Sequence, residues 1–376
     1  MRKAFTFGIL AAGLAWRNWH NWQGDQHKLA HHQTTKLSVP PLEQWQDRPT
    51  VSILVAAWNE GASVAALIQS FYALRYPHKQ LVVCAGGTDD TFAIAQSAAD
   101  ERVVVVKQVA GMGKQRALHH AFPATTGDII FLTDADCILD DDSFERTILP
   151  LTSGATEVST GESRPLATQL DNPFIVWQAV GRLYNLLGAR KTADGLLGRN
   201  CAVTRHLLER SAGLAAEAFT GTDYVLAKKL MAHGATIRHV SHSRIETRYP
   251  TTARAYIRQQ RRWLRNVAWQ GARFGAWGEV RQSLQTSLIG FVMLSLPLIG
   301  LFFPPLLFVW GALLWQMCLA RLRYWHVGNE LLREDEATYR PKFAHTLYLP
   351  YFILLDFIAW VSTLFDYVSA QRRATW

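Results

Sequence analysis

The chain has 376 residues, of which 49% are hydrophobic, and carries a formal net charge of +9. This length and composition supply a core for one large or two ordinary domains and exclude an intrinsically disordered protein. The positive charge is compatible with anionic lipid, phosphate groups or nucleic acid and does not choose among them. The four cysteines lack CxxC spacing, which argues against a zinc site or a disulfide framework and indicates a reducing, cytosolic face.

Residues 1–48 are predicted to form an N-terminal apolar segment and a linker. The apolar stretch at 4–16 follows Arg2 and Lys3. Its 13 residues are fewer than the roughly 20 that cross a bilayer. An interfacial or shortened membrane helix and a true span are about equally compatible with this pattern.

Residues 49–268 are predicted to form one α/β domain, because short apolar runs alternate with segments of helical periodicity. Four such runs are bounded by turn residues, at 51–57, 81–84, 103–106 and 129–132. The alternation predicts a mostly parallel sheet with helices on both faces. Ligands of such sheets bind beyond the carboxyl ends of the strands, where Asn59-Glu60 and Asp134-Ala135-Asp136 fall.

Residues 283–368 are predicted to hold the membrane segments, with a polar connector at 321–342. No charged residue occurs at positions 287–320, which is more than one crossing needs, and a Pro-Pro pair divides this stretch. Two spans are therefore predicted there, and a third begins near residue 343. With the N-terminal segment, the total is three or four membrane helices.

Asp356 lies inside the third apolar segment. A carboxylate is costly among apolar side chains unless it is paired or in contact with water, so Asp356 is a candidate functional residue. The alternative is that it marks a bend at the membrane interface.

Asp134-Ala135-Asp136, at the end of the apolar run 129–132, is the strongest local signal. Paired carboxylates bind hard cations such as Mg²⁺ or Mn²⁺, which keep coordination positions open for a diphosphate. The alternative is that both acids are turn residues or cap a helix that starts near Asp140. The acid pair alone does not decide between these interpretations.

A basic amphipathic helix is predicted just before the membrane segments. Five arginines share one predicted face, Arg254, Arg258, Arg261, Arg262 and Arg265. Arg262 is expected to face a departing diphosphate, where a planar guanidinium stabilises negative charge, and Trp263 to pack beneath an acceptor. The alternative is that the arginines bind anionic headgroups, as we expect of Arg254 and Arg258, and that Trp263 anchors at the interface.

Six segments, in order, resemble the family 2 glycosyltransferases, which share the GT-A nucleotide-sugar fold. They are the first strand with Asn59-Glu60, then Gly113-Lys114, Asp134-Ala135-Asp136, Gly198-Arg199-Asn200, Thr222-Asp223, and the QxxRW pattern of Gln259, Arg262 and Trp263. The resemblance covers about residues 51–266 together with the membrane segments behind them.

The resemblance implies an inverting glycosyltransferase. Asp136 would be the principal metal ligand, Asp134 would contact the metal or the ribose, and Asp223 would be the general base. The alternative for Asp223 is an N-cap of the following helix. Arg262 would act beside Asp223 in catalysis. The resemblance also implies donor binding by Asn59, Glu60 and Lys114, and an acceptor site at Gln259, Trp263 and Asn200.

Two positions depart from the family pattern. Cys84-Ala85 stand where most relatives have two acids that contact the nucleoside, so base recognition falls to backbone groups around residues 56–58 or to Asp89. Asp89 alternatively caps a helix. Thr222 replaces the glutamate that usually precedes the proposed base. The nucleotide of the donor is therefore not predicted.

The predicted enzyme uses Mn²⁺ or Mg²⁺ and moves a sugar from a nucleotide-sugar donor to a membrane lipid or membrane-bound glycan. A lipid is preferred, because three or four helices are few for a polysaccharide channel, and a processive polysaccharide synthase is the alternative. A non-catalytic scaffold of a membrane glycan assembly and a nucleotidyltransferase are the rivals from other classes. Nucleic acid is not an expected partner. The protein is expected in the cytoplasmic membrane, with its catalytic domain on the cytosolic face.

Overall fold

The structure is a computed structural model, which describes residues 2–34, 38–187, 191–215 and 221–368. The described strands are β1 (Val51–Trp58), β2 (Lys79–Gly86), β3 (Val103–Lys107), β4 (Ile129–Asp134), β5 (Cys137–Ile138), β6 (Val158–Pro165), β7 (Thr192–Ala193), β8 (Cys201–Thr204) and β9 (Ile237–Thr247). The described α-helices are α1 (Arg2–Thr34), α2 (Gly61–Ala73), α3 (Thr91–Ser97), α4 (Gly113–Ala121), α5 (Asp141–Thr152), α6 (Pro173–Tyr184), α7 (Arg205–Ser211), α8 (Thr222–Ala232), α9 (Ala253–Arg273), α10 (Trp277–Gly300), α11 (Pro305–Asp335) and α12 (Leu349–Val368).

All nine strands belong to one sheet, whose order is β3-β2-β1-β4-β8-β6-β9-β5, with β7 paired to β9. The first four strands in this order run parallel. Strand β8 is antiparallel to both of its neighbours, so the sheet as a whole is mixed. The chain order reverses at β1, which lies between β2 and β4. A crevice therefore opens beyond the carboxyl ends of β1 and β4.

The central strands are buried on both faces, because consecutive side chains alternate between two cores. Ile53 of β1 packs with Phe71 of α2 in one core. The next residue, Leu54, packs with Leu118 of α4 on the opposite face. Near-continuous apolar runs of this kind are typical of parallel strands covered by helices on both sides.

Three helical segments in the described residues are long and apolar enough to cross a membrane, namely Trp277–Gly300, Pro305–Asp335 and Phe343–Asp366. The Pro-Pro pair does separate the first two, since α10 ends at Gly300 and α11 begins at Pro305. The N-terminal helix α1 is 33 residues long and is not among the three. Helix α11 continues to Asp335, so the first part of the polar connector is helical.

Asp356 lies inside α12, which runs through this position without interruption. Its side chain is buried and accepts hydrogen bonds from the hydroxyl of Tyr256 and the guanidinium of Arg321. The ion pair and the hydrogen bond offset the cost of a carboxylate among apolar side chains.

Candidate active site

Acidic and basic side chains meet in the crevice at the carboxyl ends of β1 and β4. Asp134 is the last residue of β4 and pairs in register with Ala56 of β1. Asn59 and Glu60 follow β1 directly. The positions that the sequence predicted from strand ends are thus brought together by the parallel pairing of these two strands.

Two cations hold the Asp134 carboxylate. Lys114, in the first turn of α4, forms an ion pair with Oδ1, and Nε of Arg199 lies 3.4 Å from Oδ2. The hydroxyl of Thr133 donates to the carbonyl of Arg199 at 2.9 Å, which fixes the loop that carries this arginine. Burial alone would raise the pKa of Asp134, but Lys114 and Arg199 hold that pKa below its usual value. Asp134 is therefore ionised.

Asp136 has a different environment. Its Oδ1 accepts a hydrogen bond of 3.3 Å from the hydroxyl of Thr247. Burial and the neighbouring Asp134 raise the pKa of Asp136. Burial and Asp136 likewise raise the pKa of Glu60. The negative charges of Asp136 and Glu60 are therefore disfavoured in the crevice, and a bound cation would stabilise them.

The acids of this crevice fit a hard divalent cation. Asp134 and Asp136 offer only oxygen ligands, as Mg²⁺ and Mn²⁺ prefer. No cluster of three or more potential metal-binding His, Cys, Asp or Glu side chains occurs in the part of the chain that the structure describes. Binding by one or two carboxylates together with substrate phosphates, which is common for Mg²⁺, matches this ligand set. The alternative helix-cap role is wrong, because α5 is capped by Asp140, which accepts from Ser143 N at 2.8 Å.

Asp223 lies in the first turn of α8, and the N-cap of that helix is Gly221. The alternative interpretation of Asp223 as the N-cap is therefore wrong. Burial alone would lower the pKa of Lys114, but the charges of Asp134 and Asp223 raise it above its usual value. Burial lowers the pKa of Arg262, and the charge of Asp223 opposes this decrease. Asp223 and Asp134 thus both lie close enough to Lys114 and Arg262 to influence their charges.

Asn59 and Asp89 form hydrogen bonds that connect the loop after β1 to the loop after β2. Asn59 has a φ of 58°, and its Oδ1 accepts from Thr88 N at 2.7 Å. Asp89 accepts from Gly61 N at 3.0 Å through Oδ2 and from Thr91 N at 3.1 Å through Oδ1. Since both oxygens of Asp89 already bind loop and helix-start amides, its position favours the capping alternative over recognition of a base.

Asn200 was predicted in the acceptor site, and this prediction is wrong. The side chain is completely buried. Its Nδ2 donates to Glu162 O and to Ser243 Oγ, both at 2.9 Å, and its Oδ1 accepts from the Thr147 hydroxyl at 3.0 Å. Asn200 therefore ties together β6, β9 and α5 and has no atom available for a substrate.

The QxxRW residues of α9 lie in two different environments. Gln259 and Trp263 line a cavity of about 350 Å³ that borders α6, α11 and α12. Arg262 lies within electrostatic reach of Asp223 and Asp134. The cavity and the acid pair are connected through Arg199, which lines the cavity and contacts Asp134.

The single basic face predicted for α9 is wrong. Arg261 pairs with Asp366 of α12, with Nε 2.6 Å from Oδ2, whereas Arg262 lies near the acids of the crevice. Consecutive helical residues point about 100° apart, so these two arginines cannot share a face. Arg254 and Arg258 are exposed.

Sequence reasoning missed several residues around this site. Arg199 belongs to a recognised segment and follows a glycine, yet only the structure shows its contact with Asp134. Arg182, Arg248 and Arg321 lie outside every motif and reach the cavity from α6, from the segment after β9 and from α11. Their separation along the chain leaves no local signal that could have found them.

Comparisons with known proteins agree with this geometry. Residues 49–266 match the sequence model described as glycosyltransferase like family 2. The chain is 28% identical over 227 residues to the beta-monoglucosyldiacylglycerol synthase of Synechocystis, which covers 57% of this chain and 47% of that protein. It is 26% identical over 256 residues to the probable glycosyltransferase YdaM of Bacillus subtilis, covering 64% of this chain and 60% of that protein. The chain thus spans about half the length of the curated relatives it matches.

Similarity to a solved structure extends through the membrane-length helices. The mannosyltransferase PcManGT of Pyrobaculum calidifontis, in complex with GDP-Man and Mn²⁺, is similar with a TM-score of 0.53 at 18% identity, covering 95% of this chain and 97% of that one. At this identity the likeness shows the fold, and the predicted α/β domain of GT-A type followed by apolar helices is confirmed. Because the family model matches more than half of the sequence, the chain belongs to the glycosyltransferase family 2.

Proposed function

We propose that the protein is an inverting, metal-dependent glycosyltransferase that moves a sugar from a nucleotide-sugar donor to a membrane lipid. One observation carries the proposal, namely that the Gly198-Arg199 turn lies against both acids. A Cβ at Gly198 would lie 2.9 Å from Cβ of Asp223, and Nε of Arg199 lies 3.4 Å from Oδ2 of Asp134. A donor diphosphate bound by Lys114 and Arg199 would lie near both the acid pair and the candidate base.

The donor end of the site is suited to a diphosphate. Lys114, Arg199 and Arg262 supply positive charge where the leaving group acquires negative charge. A divalent cation held by Asp136 and Asp134 would supply further neutralisation of that leaving group. The similar mannosyltransferase was solved in complex with GDP-Man, and the similar Synechocystis protein is a beta-monoglucosyldiacylglycerol synthase. Neither determines the donor of this chain.

Asp223 is the proposed general base. Its carboxylate accepts the proton of an acceptor hydroxyl as that oxygen attacks the anomeric carbon and the nucleoside diphosphate departs from the opposite face. One displacement inverts the anomeric centre, and no second carboxylate nucleophile is required. Arg262, near Asp223, would stabilise the departing charge.

The cavity beside Trp263 supports a lipid acceptor, because its walls include the membrane helices α11 and α12. A growing polysaccharide is the second candidate. Purified protein in detergent, supplied with isotopically labelled donors and membrane lipid extract, distinguishes them. We expect the label in the organic phase after solvent extraction. Label retained in polymer of high molecular mass would contradict the lipid proposal and support a polysaccharide synthase.

Gly198 offers a test of the base in which no proposed functional residue is itself substituted. A Cβ at Gly198 would lie 2.9 Å from Cβ of Asp223, whereas a Cβ at Gly195 would have no neighbour within 4 Å. Gly198→Ala should displace Asp223 and lower kcat by about tenfold or more, since small misplacements of reacting groups are costly. Gly195→Ala is the matched control and should keep its turnover. Equal kcat values for the two variants would argue against Asp223 as the base.

A further inference from the structure

The cavity beside Trp263 has walls of two chemical kinds. Six aromatic side chains line it, Trp177, Tyr249, Tyr256, Trp263, Phe352 and Trp360. Such rings bind the apolar and ring portions of a ligand. The remaining walls are polar and strongly basic, so the ligand cannot be wholly apolar.

Positive side chains outnumber negative ones in this cavity. Four arginines line it, Arg182, Arg199, Arg248 and Arg321, against one carboxylate, Asp356. The ion pair of Arg321 with Asp356 leaves no net charge from these two side chains. Arg199 pairs with Asp134 of the donor site. The net positive charge of the cavity wall therefore comes mainly from Arg182 and Arg248.

Arg182 is only partly compensated. Its Nη2 lies 3.4 Å from Oε2 of Glu162, a carboxylate that also contacts Nε2 of His239 at 3.1 Å. The guanidinium lies 5.7 Å from the centre of the Trp263 ring. Arg182 thus lies beside the aromatic residue of the QxxRW motif and lines the cavity, and its Nε is buried without a hydrogen-bond partner among the described residues.

Arg248 lies between the cavity and the donor crevice. Its side chain is exposed and lines the cavity, and its positive charge also opposes the rise in the pKa of Glu60. An uncharged ligand would leave Arg182 with only its 3.4 Å contact to Glu162 and would give the exposed Arg248 no charged partner in the cavity. A phosphate group would bind them well, because a guanidinium donates two parallel hydrogen bonds to phosphate oxygens.

We propose that this cavity binds an acceptor amphiphile whose head carries a phosphate group in addition to the reacting hydroxyl. The inference rests on the proposed function and names the chemical class of its acceptor. It differs from an uncharged diacylglycerol head. The competing explanation is that Arg182 and Arg248 bind only the donor diphosphate, in which case a nucleoside diphosphate would displace any anionic lipid.

Binding without a sugar donor tests the proposal separately from catalysis. The probes are dioctanoyl phosphatidic acid and dioctanoylglycerol, which differ only by the phosphate, titrated into the full-length protein in a neutral detergent and followed by tryptophan fluorescence. We expect the phosphatidic acid to bind at least about tenfold more tightly, as one or two charge-assisted hydrogen bonds allow. Saturating nucleoside diphosphate should leave this binding in place.

Three variants locate the bound phosphate. Arg182→Gln and Arg248→Gln should each reduce the preference for phosphatidic acid by about tenfold. Arg102→Gln removes an exposed charge just before β3, outside the cavity, and should leave the preference unchanged. Equal binding of the two lipids, displacement by nucleoside diphosphate, or equal losses in all three variants would overturn the proposal. None of these outcomes bears on nucleoside diphosphate release, so the proposed function can stand when the phosphate preference fails.

Discussion

Asp136→Asn is expected to lower the rate of sugar transfer by roughly two to three orders of magnitude. The amide keeps the size of the side chain but removes the charge that would hold a divalent cation beside the donor diphosphate. Burial and the charge of Asp134 raise the pKa of Asp136, so the negative charge on Asp136 is disfavoured, and a bound cation would relieve this cost. The variant should therefore fold as well as the wild type while losing Mn²⁺-dependent binding of nucleoside diphosphate.

Asp128→Asn is the matched control for this change. Asp128 is exposed and precedes β4, whereas the acid pair lies at and just beyond the end of the same strand. Titration calorimetry with nucleoside diphosphate, with and without Mn²⁺, measures the effect. If Asp136→Asn bound the nucleotide with an unchanged dependence on Mn²⁺, the assignment of Asp136 as a metal ligand would be wrong.

Asp223→Asn is expected to slow the chemical step of sugar transfer with little change in the affinity for the donor. A general base contributes roughly 10²- to 10⁴-fold to a rate, so kcat should fall within that range. The affinity for the nucleotide sugar should change much less, because Asp223 acts on the acceptor hydroxyl. Single-turnover kinetics with a saturating acceptor measures the chemical step directly.

Asp194→Asn serves as the control for Asp223→Asn, because Asp194 is exposed in the loop after β7. Its turnover should equal that of the wild type. A fall in donor affinity that accounted for the whole loss of activity in Asp223→Asn would assign this residue to donor binding and contradict its role as the base.

Part of the site could be predicted because ligands of open parallel sheets bind beyond the carboxyl ends of the strands. The carboxyl ends of β1 and β4 meet because the two strands are adjacent and parallel, and the apolar runs at both positions are visible in the sequence. Asp134 and Glu60 could therefore be placed in one crevice before any coordinates were considered. The environment of Asn200 could not be predicted in this way, because its burial depends on contacts with Thr147, Glu162 and Ser243. These contacts join elements that are distant along the chain.

The acceptor side was harder to predict for a similar reason. Arg321 and Asp356 meet across α11 and α12, and Arg182 reaches Trp263 from α6. No local sequence pattern marks Arg182 or Arg321 as a site residue. Asp356 differs, because it is a charged residue in an apolar segment. Hydropathy located the three long apolar helical segments, but it carries no information about which polar side chains face each other between them.

The most direct test of the central claim is release of nucleoside diphosphate by the purified wild-type protein. The protein in detergent, with membrane lipid extract, is incubated with a panel of nucleotide sugars in the presence of Mn²⁺ and, in parallel, of excess chelator. We expect release from one donor or a few related donors that stops when the metal is removed. A folded protein that released no nucleoside diphosphate from any donor would contradict the account, and release that continued unchanged under chelation would contradict the role given to Asp134 and Asp136.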